Sequence, residues 1–440
     1  MFLEFRLQNF KSFREPAVFS MIPAPKQKDL AYSIIERKVK GIRKTQKALC
    51  SSVIYGPNAS GKSNIICAVD LLRSIVLRGN ILDDSTVRLA NDSSSFLSLI
   101  PNSFEPVPLP VGLGITFLID SLKVDYEIQI DLGQFLDKSY KRKVIFEQLK
   151  LNEKKVFERK EDKVSVFKTS LDKQGESSSS EDSDLIGRLL NNGLNEEELF
   201  LSNGFKNILN PSLASRILTW FREGLRILYH SESLRIVGGV ENEAQQEVLE
   251  LLTSAAEAIG SKSSSFTFGP DSTEKGRQIL YSVLENSSGT QKKLSSEIYE
   301  SYGTVRFMHL FPLVFDALVN GTVLFIDEFD ASIHPIAIMD LINIFHNEDI
   351  NRRGAQLIFN THNPIFLSAN LFRRDEIKFV DREGNTSIIY SLSDFGTSGE
   401  GAVRRSDDYM KNYFVDRYGA ISETNFSDLF LKFMNNKNEA

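Results

Sequence analysis

The chain has 440 residues, a formal net charge of −6, 41% apolar residues and 25% charged residues. That is the composition of a globular protein with one large domain or two to three ordinary ones, and it excludes a disordered or membrane-embedded chain. The negative balance offers no global attraction to nucleic acid, and Cys50 and Cys67 are too few for a disulfide scaffold, which suggests a reducing compartment.

The opening MFLEFRLQNFKSF alternates apolar residues imperfectly and predicts a strand followed by a turn. It carries Glu4 and has no apolar core, so it does not read as a secretory signal. No window of about 18 uninterrupted apolar residues occurs, so the expectation is a cytoplasmic protein with no membrane partner. Ser51–Tyr55 (SSVIY) is a short strand of the buried type. Asn64–Leu77 has a helical pattern, with Ile65, Ile66, Val69, Leu72 and Ile75 on one face.

Between that strand and that helix, Gly56, Pro57, Asn58, Ala59, Ser60, Gly61, Lys62 and Ser63 match G-x-x-x-x-G-K-[ST] in full, and Asn64 follows. Glycines let backbone N–H groups curl around a β-phosphate, and the helix N-terminus adds its positive dipole end. Lys62 is expected to neutralise the β- and γ-phosphates of ATP, and Ser63 to ligate Mg2+. A glycine turn could match by chance, but not often with both flanking elements in place.

From Val111 to Phe167 come strand-like runs, GITFLI, VDYEIQI, KVIFEQLKL and VSVFK. Thr169–Asp184 is polar, serine-rich and acidic, and predicts a surface loop. Leu185 to about residue 260 is helical in tone, with Ile217–Leu228 and Ala244–Ile259 the clearest helices. Neither sustains heptads over several repeats, so no long coiled-coil arm is expected. Strand patterns return at Ser265–Phe268 and Gln278–Leu284.

The pattern Ser-x-Gly-Thr then occurs twice, at 287–290 and at 301–304. After Thr290 the chain is short and polar, which predicts a hairpin turn over Asn286–Thr290. After Thr304 comes VRFMHLFPLVFDALVNG, an apolar helix closed by Asn320-Gly321, in which Pro312 predicts a kink. An anion-gripping signature has to open a helix, so Ser301, Gly303 and Thr304 are the candidates.

Beyond Gly303 the rhythm of helix, strand, helix, strand predicts a parallel α/β sheet. Thr322–Asp330 (TVLFIDEFD) is a buried-type strand that ends in adjacent carboxylates. Such strands are common and mostly structural, but behind a complete phosphate loop Asp327 is expected to hold the Mg2+ shell and Glu328 to polarise the attacking water. Gln356–Asn360 (QLIFN) ends in Thr361-His362, where a γ-phosphate sensor would sit; a lone histidine is otherwise structural. His334, in the loop after the carboxylates, reads equally well as structural or as a link between two sites.

With these residues the chain resembles the ABC-type ATPases of the SMC, RecF and OLD kind, and more closely the compact bacterial AAA-family ATPases of abortive-infection and other phage-defence operons. The matching pieces are QNFKSF, GPNASGKSN, ESYGTVRF, VLFIDEFDASIHP, QLIFNTHNP, FRRDEIKFV and the late Tyr-Gly-Ala at 418–420. The resemblance implies an ABC-type P-loop fold with a mixed β-lobe, a parallel-sheet core and an inserted helical lid. It implies that Lys62, Ser63, Asp327, Glu328, His362, Ser301, Gly303 and Thr304 act as above, and that Asn9, Lys11 and Ser12 lie near the nucleotide. It also implies that the signature completes the site of another subunit, so that two chains sandwich two ATPs. The chain departs from the pattern at Tyr302, where a small or acidic residue is usual, and at Asn360, where Thr is common. Gln148 is the one candidate for the Q-loop glutamine.

The expected division is an N-terminal half of the ATPase domain at 1–168, the acidic loop at 169–184, a lid insertion at 185–285 and the C-terminal half at 286–440. Only roughly 80 residues follow His362, too few for the nuclease domain of OLD proteins, so the expected effector is a separate protein. The first functional expectation is an ATP-dependent sensor or scaffold that controls such a nuclease or toxin and answers a phage-derived trigger. The alternative is a RecF/SMC-like DNA-binding ATPase in repair, with phosphate contacts from Arg37–Lys47 and Lys138–Lys143. A signalling GTPase lacks its Asn-Lys-x-Asp motif here, and a purely structural nucleotide-stabilised assembly would tolerate loss of Glu328.

Overall fold

The computed structural model describes residues 1–25, 27, 30–82, 99–104, 108–133, 140–167, 194–229, 243–270, 278–398, 401–421, 426–428, 430–431 and 434. The expected acidic loop at 169–184, the first residues of the expected lid and part of the second basic stretch lie outside these.

The chain starts with β1 (Phe2–Gln8), which buries Phe2, Phe5 and Leu7 and pairs antiparallel with β2 (Ala17–Ser20). A hairpin of β3 (Ile34–Arg37) and β4 (Gln46–Leu49) carries the first basic stretch. The strand β5 (Ser51–Tyr55) is buried along its whole length, as expected of a central parallel strand, and leads through the phosphate loop into α1 (Lys62–Arg78). Gly79, at φ 78°, supplies the left-handed C-cap of α1.

Five strands then build the lobe: β6 (Val111–Ile119), β7 (Leu122–Asp131), β8 (Lys143–Leu151), β9 (Lys154–Lys160) and β10 (Lys163–Val166). Buried and half-buried residues alternate strictly along β7, the period of a sheet with one face on a core. The seven-stranded order is β10-β9-β8-β7-β6-β1-β2, with every pair antiparallel. The lobe is therefore antiparallel rather than mixed; the mixed sheet is the core itself.

The region expected to be a helical lid is only partly helical. It contains a π-helical segment Leu201–Leu209, α2 (Pro211–Thr219) and a π turn Trp220–Gly224. The expected helix Ile217–Leu228 thus stops early, and Leu225–Leu228 forms β11 instead. Two causes converge. Gly224 is a poor helix former and fits where a Cβ would lie 2.8 Å from the Trp220 ring. The open edge of the core sheet offers LRIL a parallel partner, and tertiary pairing overrides a weak local preference. The helix α3 (Glu243–Ala258) follows, and then a three-stranded antiparallel sheet of β12 (Ser265–Pro270), β13 (Gln278–Glu285) and β14 (Gln291–Ser295).

After the short α4 (Ser296–Tyr299), the long α5 (Tyr302–Asn320) runs through Pro312 as one 19-residue helix to a left-handed Gly321. The remaining elements are β15 (Val323–Ile326), α6 (Pro335–His346), β16 (Gln356–Asn360), β17 (Ile377–Glu383), β18 (Thr386–Ser391) and α7 (Tyr409–Phe414). The core sheet has the order β11-β15-β16-β5-β17-β18, with five parallel strands and an antiparallel β18 at the edge.

Lobe and core are joined at the N-terminal ends of these strands. The buried Gln356 side chain accepts from the Phe2 amide at 2.6 Å and donates to the carbonyls of Phe2 and Leu49, each at 3.0 Å. At the opposite edge the C-terminal ends of β5, β15 and β16 lie side by side. That edge is where an open parallel sheet binds its ligands.

Candidate functional site

The loop after β5 takes a conformation that its glycines permit. Gly56 has φ 153° and Gly61 has φ 110°. A Cβ on Gly56 would lie 2.1 Å from the Val380 carbonyl oxygen, and one on Gly61 would lie 2.6 Å from Ser12 Oγ and 2.7 Å from Ser387 Oγ. Only glycine lets the N-terminal turn and β18 close around the loop. Pro57 is half-buried, Asn58 and Ala59 are exposed at the tip, and Ala59 has φ 62°. Ser60 Oγ is buried and has no hydrogen-bond partner among the described residues.

The Lys62 ammonium folds back on the loop and donates to the carbonyls of Gly56 at 2.8 Å and Pro57 at 2.9 Å. Burial lowers its pKa to about 8, against the pull of the Asp327 and Glu328 carboxylates. An anion brought to this loop restores the missing partner of that charge. The glycine cradle, the unpartnered Ser60 hydroxyl and this cation all fit a polyphosphate.

The carboxylates meet the loop through the next two strands. Ser63 Oγ donates to Asp327 Oδ1 at 2.7 Å. Asn360, buried at the end of β16, donates to the same carboxylate oxygen and lies 3.4 Å from Ser63 Oγ. Its side-chain Oδ1 accepts from the Glu328 amide at 2.6 Å. A hydroxyl and a carboxylate oxygen in contact are a hard donor set suited to Mg2+, which keeps waters and takes few protein ligands. No cluster of three or more His, Cys, Asp or Glu suited to a metal occurs among the described residues. His362, exposed just beyond β16, has a lowered pKa, first through desolvation and then through the Lys62 charge. Its imidazole is thereby favoured in the neutral form.

The two Ser-x-Gly-Thr copies take different structures. Asn286–Thr290 is the β13–β14 turn, with Asn286 Oδ1 accepting from the amides of Ser288 at 3.0 Å and Thr290 at 2.9 Å. Ser301 is the N-cap of α5, and its hydroxyl accepts from the Thr304 amide at 3.1 Å. Gly303 packs against the loop that follows the carboxylates, where a Cβ would lie 2.2 Å from the Ser332 carbonyl oxygen. Tyr302 projects into solvent at 65% exposure.

The N-terminal candidates separate. Ser12 accepts from Asn64 Nδ2 at 2.8 Å, so it touches the start of α1. Lys11 reaches the same helix with its ammonium 3.1 Å from Cys67 Sγ. The Asn9 side chain turns elsewhere, donating to the Leu109 carbonyl at 2.5 Å and accepting from the Asn102 amide at 3.1 Å. Gln148 stays within the lobe, donating to Glu158 on β9 at 2.7 Å. His334 caps α6, its Nδ1 accepting from the Ile336 amide at 3.3 Å.

Three residues at the site were given no role by the sequence. Asn360 gave a signal, as a polar side chain ending a buried strand. Arg306, inside the quoted ESYGTVRF, donates to the Glu328 carbonyl at 2.7 Å; burial lowers its pKa, against Tyr302 and the acidic Glu328 and Asp330. Ser387 bonds the Ser60 carbonyl at 2.5 Å, and nothing in the sequence marks it.

Comparison with known proteins adds two findings. A family model described as "AAA domain, putative AbiEii toxin, Type IV TA system" matches residues 51–368, a span that holds the phosphate loop, α5, the carboxylate strand and His362. The chain is also similar to the SMC head domain from Thermotoga maritima, at 14% identity and a TM-score of 0.38, over 89% of this chain and 98% of that one. No curated protein matches the chain.

Proposed function

The chain belongs to this AAA-domain family, and from that premise we propose that it binds and hydrolyses ATP in sandwiched pairs. The observation that carries the reading is the convergence of the loop serine and the strand carboxylate, Ser63 Oγ and Asp327 Oδ1 at 2.7 Å, with Glu328 next in the chain. Lys62 takes the β- and γ-phosphate charge. Ser63 and Asp327 are the residues that would hold Mg2+, which supplies charge neutralisation at the phosphates. Glu328 orients the attacking water and accepts its proton as the water oxygen bonds to the γ-phosphorus and the β–γ bridging oxygen leaves. His362, held neutral by its surroundings, donates a hydrogen bond to the γ-phosphate.

Ser301 stands exposed and Thr304 half-buried at the N-terminus of α5, near Ile298 at 83% and Tyr302 at 65% exposure. That end of the helix, with backbone N–H groups and a serine hydroxyl at the surface, is suited to the nucleotide of a second copy. ATP then acts as the linkage that holds the pair together. Control of a separately encoded toxin or nuclease in phage defence is the wider role we assign, supported by a family description that carries a toxin of toxin–antitoxin systems.

Mass photometry of Glu328→Gln with and without ATP and Mg2+ tests the pairing. The expected result is an ATP-driven doubling of mass that Ser301→Arg removes; a mass indifferent to both changes would sink the sandwich. A RecF-like DNA role has one observation in its favour. The β3–β4 hairpin exposes Arg37, Lys38, Lys40, Arg43, Lys44 and Lys47. Binding to duplex DNA that weakens steeply with salt would support that role.

A further inference from the structure

Of the carboxylate residues 327, 328 and 330, only Glu328 has its backbone in the left-handed region, at φ 52°. A side chain other than glycine holds that conformation at a cost of about 1–2 kcal/mol, and it persists where the surroundings over-determine it. Two side chains from separate elements do so here. Asn360, at the end of β16, takes the Glu328 amide at 2.6 Å. Arg306, on the second turn of α5, takes the Glu328 carbonyl through Nη2 at 2.7 Å. With amide and carbonyl both held, the direction in which the Glu328 Cα–Cβ bond leaves the backbone is set.

Arg306 is also tied to the signature. It lies five residues beyond the Ser301 cap and shares a side-chain hydrogen bond with the exposed Tyr302. Gly303 presses the same end of α5 onto the Ser332 carbonyl, leaving no room for a methyl group. The helix that opens with the signature is thus packed against, and bonded to, the loop that carries Glu328. Asn360 extends the connection to Asp327 and Ser63.

We propose that Arg306 is a positioning residue that couples the two nucleotide sites of a pair, an inference that rests on the ATPase reading above. The nucleotide gripped by Ser301–Thr304 belongs to the partner's loop. Any displacement of the start of α5 on gripping it moves Arg306, and with it the Glu328 backbone of the same chain. Each site is then made competent by the nucleotide that the other holds. Tyr302, the departure from the usual signature, supplies the link from the exposed end of the helix to the guanidinium.

Steady-state kinetics of Arg306→Ala and Arg306→Lys test this. Arg306→Ala is expected to lower kcat by about 10²-fold, the effect of misplacing a catalytic group by an ångström. KM for ATP is expected to stay unchanged, and Arg306→Ala in the Glu328→Gln background is expected to pair on ATP as Glu328→Gln alone does. Lysine is expected to restore part of kcat, because an ammonium can still donate to one carbonyl. A kcat within about threefold of wild type, or a fall in kcat matched by lost ATP binding or pairing, would overturn the coupling role. A wild-type protein that does not hydrolyse ATP would overturn the ATPase reading and this inference with it. An active wild type with an unaffected Arg306→Ala overturns this inference alone.

Discussion

Ser287–Thr290 and Ser301–Thr304 share a pattern of four residues and nothing else. The first is a polar hairpin tip whose Gly289, at φ 77°, has open space around it. The second opens a 19-residue helix, and its Gly303 lies against a neighbouring carbonyl oxygen. The same short pattern has become a turn in one place and a helix N-terminus in the other. What separates them is the sequence that follows, polar QKKLS against apolar VRFMHLF. Only the apolar segment can bury a helical face between the core sheet and the rest of the molecule.

The comparison breaks most sharply under charge and bulk at the serine. Ser301→Arg is expected to reduce ATP turnover by at least about 10²-fold, as when a transition-state donor is removed. Ser288→Arg, on the exposed hairpin, is expected to leave turnover unchanged and stability within about 0.5 kcal/mol. Paired rate measurements on the two variants decide it, and equal losses would remove the distinction drawn here.

A smaller effect is expected at the glycines, from opposite causes. Gly303→Ala forces a methyl group onto the Ser332 carbonyl and is expected to destabilise by about 1–3 kcal/mol, the range for overpacking. Gly289→Ala meets nothing but has to hold a positive φ, and about 1 kcal/mol is expected. Urea unfolding of both proteins measures the difference. A Gly303→Ala protein as stable as wild type would mean that the signature end is not pressed against the carboxylate loop.

The smallest effect concerns the phosphate loop, which in the proposed pair would meet the partner's Ser301–Thr304. Lys62 has its pKa lowered to about 8 by burial. A bound polyphosphate favours the charged amine and raises that pKa. ATP affinity is therefore full below about pH 8 and falls as pH rises through it, by up to about tenfold per unit until the pKa of the complex is reached. Titrations of ATP binding from pH 7 to 9 read this slope. A flat profile would show that Lys62 remains charged in the free protein.

Much of the local structure of the candidate site was legible in the sequence, because each part forms within a few residues. The phosphate loop, the carboxylate strand and the strand ending in Thr361-His362 each combine a short motif with its own flanking elements, and each forms where those flanks predict. The antiparallel runs of the lobe were equally legible through their period of two. The structure departs from the sequence reading where an element's fate depended on a distant partner. LRIL at 225–228 fits either a helix or a strand, and the free edge of β15 settled it. Asn9 belonged to the expected nucleotide contacts, but its amide is engaged by Leu109 and Asn102, some hundred residues away.

The sequence by itself determined the phosphate loop, the order of the core strands' chemistry and which Ser-x-Gly-Thr copy opens a helix, because periodicity and turn chemistry act within a few residues. Only the tertiary structure decided that Asn360 and Arg306 would hold the two sides of the Glu328 backbone, 32 and 22 residues away in the chain. It also decided that Ser12 and Ser387 would close on Gly61. Those contacts depend on how strands from distant parts of the chain are ordered in one sheet, and no local pattern encodes that order.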